Sequence, residues 1–221
     1  MSRIVERDLE ALRELGLRMG GLAEAILGRA IEALSRRDAR IADEVDKDDL
    51  AIDRLDIEID EAVLEILALQ APVARDLRAV IGMKSLATDL ERVGDLARNI
   101  AKSAARLASR QKVALPAPLE QLADESRRQL RLALDAFANA DTEAARRVLA
   151  GEDLVDEHEG SIIRHALQEL QGKPEFSAQQ VDFILIAKNL ERVADHATNI
   201  AEEVVRIAEA RNLKHAAKLG T

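Results

Sequence analysis

Asp89-Leu90-Glu91-Arg92-Val93-Gly94-Asp95-Leu96-Ala97-Arg98-Asn99-Ile100-Ala101 returns one hundred residues later as Asn189-Leu190-Glu191-Arg192-Val193-Ala194-Asp195-His196-Ala197-Thr198-Asn199-Ile200-Ala201. Nine of the thirteen positions are identical, which makes the 221-residue chain an internal duplication. The retained residues include Glu, Arg, Asp and Asn, and not only the apolar positions that helix packing needs. The duplication therefore keeps a polar arrangement together with a packing stripe.

At 100° per residue, Leu90, Val93, Ala97 and Ile100 share one helix face, the expected core side. Glu91, Asp95 and Asn99 fall nearly opposite, and Glu191, Asp195 and Asn199 repeat that placement. These acids are expected outside the bundle core, on an outward or groove-facing stripe. The preceding helix of each half carries its own acidic stripe. It is Asp49, Asp53 and Asp56 in the first half, and Glu152, Asp156 and Glu159 at the same spacing in the second.

Like charges one turn apart destabilise a helix by roughly 0.2–0.5 kcal/mol per pair. Solvation of an exposed face, internal salt bridges or a bound cation would each offset that. Arg92 lies three residues before Asp95, and Arg192 three before Asp195, as salt-bridge partners. For a cation, the donors are carboxylates with no thiolate, and histidine occurs at only one of two matching positions, His196 against Leu96. Such a hard-oxygen set suits Mg, Ca or Mn, with Fe or Zn where carboxylates bridge metals. The inward Glu-x-x-His motif of a buried di-iron bundle does not recur in both halves.

Outward from the motif, the chain reads as six long helices. Leu9, Leu12, Leu15, Met19, Leu22, Ile26 and Ala30 recur at threes and fours, which predicts a helix from 3 to about 36. Asp38 suits the N-cap of a second helix that Pro72 stops near Gln70. The third runs from about Val73 to Ser109. Leu115-Pro116-Ala117-Pro118 closes a linker, and Pro118 suits the first turn of a fourth helix ending near Ala138. Asp141 caps a fifth, to about Leu170, which Gly172-Lys173-Pro174 breaks. Ser177 with Gln180 reads as a capping box for the sixth, to about Arg211. The fold class is all-α, as two pseudo-symmetric three-helix bundles: residues 1–112, residues 117–212 and a tail at 213–221. Their packing, end to end or side by side, stays open.

Aromatics are 1% of the chain, so the core must be Leu, Ile, Val and Ala. Cysteine is absent, which fits a reducing compartment and excludes disulfides and thiolate metal sites. Residues 1–7 carry no apolar leader, and runs such as Phe183-Ile184-Leu185-Ile186-Ala187 are far short of the ~20 residues that span a bilayer. A net charge of −9, with no Trp and no Tyr, argues against nucleic acid or an anionic membrane as partner. Any membrane attachment is expected to run through a protein partner. No Gly-rich phosphate loop, Ser-His-Asp order or His-Glu-x-x-His is present, so nothing in the sequence points to catalysis.

Leu-Glu-Arg-Val-x-Asp-x-x-x-Asn-Ile, occurring twice on a six-helix chain, closely resembles the PhoU family of phosphate-signalling regulators. The resemblance extends from about residue 5 to 212 and includes Asp49-x-x-x-Asp53, Ile59-Asp60-Glu61, Pro72-Val73-Ala74-Arg75-Asp76-Leu77-Arg78 and Val155-Asp156. It implies two three-helix bundles in a cytoplasmic homodimer, peripheral to the inner face of the membrane. It also implies a negative regulator of phosphate uptake and of the phosphate-starvation regulon. Such a protein couples the ATPase subunit of a phosphate ABC transporter to a sensor histidine kinase. Family members with metal clusters imply, residue by residue, a first cluster of Asp49, Asp53, Glu91 and Asp95. A second would use Glu152, Asp156, Glu191 and Asp195, with Mg, Mn, Zn or Fe as the metal. Asp49 stands where the family pattern also allows Glu. The expected protein is not an enzyme. The alternatives are a metal-dependent phosphohydrolase on the same carboxylates and an accessory regulator of a different phosphate carrier.

Overall fold

The structure is a computed structural model that describes residues 3–210, apart from the side chains of residues 3–5 and of Glu152. The expected tail at 213–221 lies outside the described residues. The described residues are mostly helical, with no strand among them. Helix α1 spans Arg3–Arg36, α2 Ala39–Gln70 and α3 Ala74–Ala108. Helix α4 spans Ala117–Asn139, α5 Thr142–Leu149, α6 Glu152–Gly172 and α7 Ser177–Glu209, with a 3₁₀ turn at Pro174–Phe176 before α7.

The helix boundaries follow local chemistry. Asp38 accepts a hydrogen bond from the Arg40 N–H at 2.9 Å, and Asp141 one from the Ala144 N–H at 2.9 Å, as N-caps should. Pro118 sits in the first turn of α4, where its missing N–H leaves no bond unmade. Two expectations fail. The predicted Ser177–Gln180 capping box does not form, because the turn at Pro174–Phe176 feeds straight into α7. Ser177 is already the first helical residue, and its hydroxyl donates to the Pro174 carbonyl at 2.8 Å. The single helix expected from Asp141 to Leu170 is two, α5 and α6, parted at Ala150–Gly151. There the buried Gln129 on α4 donates its side-chain amide to the Gly151 carbonyl at 2.8 Å, an acceptor the helix would otherwise keep for itself.

Helices α1–α3 form one bundle and α4–α7 the other. They lie side by side, joined along an antiparallel seam between α3 and α7. Contacts fix the direction of that seam. Early in α3, the Cα of Gly82 faces Glu203 and Ile207 near the end of α7. Midway, Asp89 meets His196. At the far end, Arg106 binds Asp182 in the second turn of α7 at 2.8 Å, and Arg110, just past α3, donates to the same carboxylate. Asp182 is only 2% exposed, so these two guanidinium groups answer a buried charge.

Because α3 and α7 each meet helices on more than one side, their buried surface is wider than the single stripe read from the sequence. Gly94 and Leu96 on α3, and Ala194 and Thr198 on α7, are buried with it. Leu90, with no exposed surface, sits at the middle of this arrangement, whereas Leu64 on α2 is 66% exposed. Leu90→Ala should therefore cost about 2–5 kcal/mol, and Leu64→Ala less than about 0.5 kcal/mol. Urea unfolding midpoints of the two variants measure the difference.

Candidate functional site

Each motif helix turns one side to the seam and the other to a groove shared with the preceding helix of its own half. In the first half, α2 and α3 run antiparallel. Lys84 binds Asp56 at 3.4 Å and also Asp60 at one end, and Arg98 binds Asp49 at 2.6 Å at the other. That register sets Asp53 level with Glu91, and Asp49 level with Asp95. The four predicted residues of the first half thus line one groove.

One of them departs from the expected outward placement. Asp49 is 3% exposed and lies against the backbone of α3, where a Cβ on Gly94 would stand 2.7 Å from its Oδ1. The helix wheel places an acid relative to its own helix alone, and here the bare Cα of Gly94 lets the carboxylate sink between two helices. Arg98 draws it in. Its guanidinium donates to Asp49 at 2.6 Å and to Asp95 at 2.8 Å, spanning both. Arg92 completes the set, 3.3 Å from Glu91 and 3.2 Å from Asp95. The salt bridge expected between Arg92 and Asp95 is present, but the principal cation of the groove is Arg98.

The second groove is built differently. Lys188 on α7 pairs with Glu159 on α6, which sets Asp156 level with Glu191 and the Glu152 position level with Asp195. The Glu152 side chain itself lies outside the described residues. Thr198 occupies the position that Arg98 holds in the first half, and Ala194 that of Gly94. Thr198 is 8% exposed, and its hydroxyl makes no hydrogen bond among the described residues. No arginine or lysine among the described residues bridges Glu191 to Asp195, and the expected Arg192–Asp195 salt bridge is not formed among them.

The acids respond to this crowding. Burial, more than any neighbour, raises Asp49 above the ordinary carboxylate range; Arg98 opposes the rise, and Asp53, Asp95 and Asp46 add to it. Glu91 is raised by burial, with Arg92 opposing and Asp95, Asp56 and Asp53 adding. Glu191 is raised by burial and then by Asp195, with Lys188 opposing and Glu159 and Asp156 adding. Asp195 is raised by loss of solvent around it, with His196, Arg192 and Lys188 opposing and Asp156 adding.

A hard cation needs several carboxylate oxygens converging on one point. Among the described residues, no three ligating side chains converge in that way. In the first groove the arginine side chains stand among the oxygens, so its residues as arranged do not fit a metal. In the second the donor chemistry fits: Asp156, Glu191 and Asp195 are hard-oxygen ligands, and the groove lacks a bridging guanidinium.

Sequence reasoning missed two features beyond Asp49. One is the pair across the seam, where His196 Nδ1 lies 2.8 Å from Asp89 and the Asn199 amide donates to the same oxygen at 3.2 Å. The other is Arg98. Both were signalled by the duplication, because Asp89, Leu96 and Arg98 are positions where the two motif copies disagree.

Residues 17–104 and 119–204 each match the family model described as the PhoU domain. The chain belongs to the PhoU family. A Caulobacter vibrioides relative named phosphate-specific transport system accessory protein PhoU homolog is 37% identical over 84% of this chain and 81% of its own length. A Rhizobium meliloti relative of the same name is 34% identical over 92% of this chain and 86% of its own. The crystal structure of PhoU from Pseudomonas aeruginosa superposes with a TM-score of 0.91 at 31% identity. It covers 93% of this chain and 99% of that one. The phosphate transport system regulatory protein PhoU from Streptococcus pneumoniae gives 0.88 at 26% identity, over 95% and 99%. The PhoU domain thus accounts for both halves, and the family's paired-bundle architecture is the one seen here.

The raised acids carry a pH signature. A carboxyl whose folded pKa lies above its unfolded value favours the folded chain when protonated. That contribution is present below the ordinary carboxylate value of about 4 and is lost as pH rises through the raised value. Glu191→Gln, which removes the charge and keeps the shape, should therefore raise Tm over wild type at pH 7. The gain should shrink toward zero as pH falls to about 4, and differential scanning calorimetry across that range reads it.

Proposed function

We propose that this PhoU-family chain is an accessory protein of a phosphate transport system. In this reading it acts as a negative regulator of phosphate uptake and of the phosphate-starvation genes. The observation that carries the reading is that relatives matched over most of their length bear that accessory name. The finer role is coupling. The chain would dock on the ATPase subunit of a phosphate ABC transporter and pass its state to a sensor histidine kinase. A chain of net charge −9 suits partners that present basic patches, whose attraction speeds encounter and fixes register. No helix among the described residues is long and apolar enough to cross a membrane, which suits a cytoplasmic adaptor that reaches the membrane through its partners. A homodimer would present the grooves in duplicate.

Deleting the gene and following an alkaline-phosphatase reporter in phosphate-rich medium tests this. The reporter is expected to stay high and to be silenced again by the wild-type gene. A reporter that stays off in the deletion would give the family's fold a different task, such as service to another phosphate carrier.

The second groove is the place for a divalent cation in this reading, held by Asp156, Glu191 and Asp195 together with Glu152. Its motive is the register of α6 and α7, which sets these acids level with one another on two facing helices without a bridging arginine among the described residues. Ligand that binds only the folded state raises Tm. Added Mn²⁺ should therefore raise the Tm of chelator-stripped wild type but not of a Glu191→Gln/Asp195→Asn variant. An equal response in both would remove the cation from this site. Mn²⁺-dependent phosphatase turnover by wild type would replace the adaptor reading with a metal-dependent phosphohydrolase.

A further inference from the structure

The duplicated motif differs at four positions, and two of them, Gly94/Ala194 and Arg98/Thr198, lie on the groove side of their helix. In the first half the two act together. The absent Cβ of Gly94 makes the space into which Asp49 sinks, and the Arg98 guanidinium holds that carboxylate at 2.6 Å and Asp95 at 2.8 Å. A guanidinium is planar, permanently charged and donates in a fork, so one group spans two carboxylates from different helices. It stands where a cation shared by α2 and α3 would stand. The second half has neither part. Ala194 would crowd a carboxylate seated as Asp49 is, and Thr198 offers a neutral hydroxyl, buried and without a partner among the described residues.

We propose that Arg98 is a built-in counter-cation that closes the first acidic groove to metal, so that the two halves of the duplication have diverged into one self-neutralised groove and one that takes its cation from solution. The first groove is then a permanent clasp between α2 and α3, insensitive to the supply of divalent ions. The second alone reports that supply. The statement about the first groove stands on the Arg98 bridge; the statement about the second rests on the cation reading given above.

The test uses the full chain, stripped with chelator, and Mn²⁺ as the probe, reading bound Mn²⁺ by equilibrium dialysis and the Tm shift by calorimetry. In the Glu191→Gln/Asp195→Asn background the second groove is silenced, and with Arg98 intact no Mn²⁺ should bind. Adding Arg98→Thr, the residue of the duplicate position, should restore both Mn²⁺ binding and a Mn²⁺-dependent rise in Tm. Arg98→Gln, which keeps length and hydrogen-bonding capacity without the charge, should do the same. A variant that folds only when Mn²⁺ is present gives the same answer. Mn²⁺ retained by the silenced chain with Arg98 in place would overturn the proposal, as would failure of both Arg98 variants to gain it. If wild type binds no Mn²⁺ while the Arg98 variants gain it, the cation reading of the second groove fails and the role of Arg98 stands.

Discussion

Two long helices, α3 and α7, lie antiparallel at the centre of the molecule, and each must satisfy neighbours on more than one side at once. The seam between them tolerates charge only where charge is answered. Asp182 is buried beneath Arg106 and Arg110, and Asp89 meets His196 and Asn199. Elsewhere it is closed by Leu, Ile, Val and Ala, as a chain nearly free of aromatics requires. Where small residues lie on the seam the approach is close, and a Cβ on Gly82 would stand 2.5 Å from both Glu203 and Ile207. The outer helices α1, α2, α4, α5 and α6 are laid on this pair. A rotation of either central helix would therefore disturb the seam and a groove together.

Each groove must hold several carboxylates from two helices within a few ångströms, in surroundings that disfavour their charge. Two responses are seen: burial raises Asp49 and Glu91 above the ordinary carboxylate range, and Arg98, Arg92 and Lys84 pair with the acids. The first half leans on the pairing. The second has Lys188 against Glu159, while burial raises both Glu191 and Asp195. A duplicated sequence has thus produced two electrostatically unlike sites.

The helices, their order and the pairing into two bundles were legible in the sequence, because apolar residues at threes and fours report one buried face and the repeat reports its own copy. The wheel failed where a residue answers to a second helix. Asp49 is buried by the missing Cβ of Gly94, a feature of the neighbour and not of α2. The break at Gly151 depends on Gln129 of α4, and the capping box was lost to the turn at Pro174–Phe176. The sequence singled out eight carboxylates; the structure sets the first four along one groove, with Arg98 among them. The asymmetry of the candidate site was written in the mismatches between the two copies, which a search for what is shared passes over.

The Asp89–His196 contact gives the two halves distinct identities. The pseudo-symmetric counterpart of this pair is Asn189 with Leu96, where Asn189 turns its amide to the Leu185 carbonyl at 2.7 Å instead. If a first half were paired with another first half along the same seam, Asp89 would face Leu96 twice. Two half-buried carboxylates would then be set against apolar side chains, without the imidazole that now meets one of them. Two second halves would set His196 against Asn189, a pairing of polar groups that water and each other can satisfy. With Asp89 in place, two copies of the first half would not reproduce this seam.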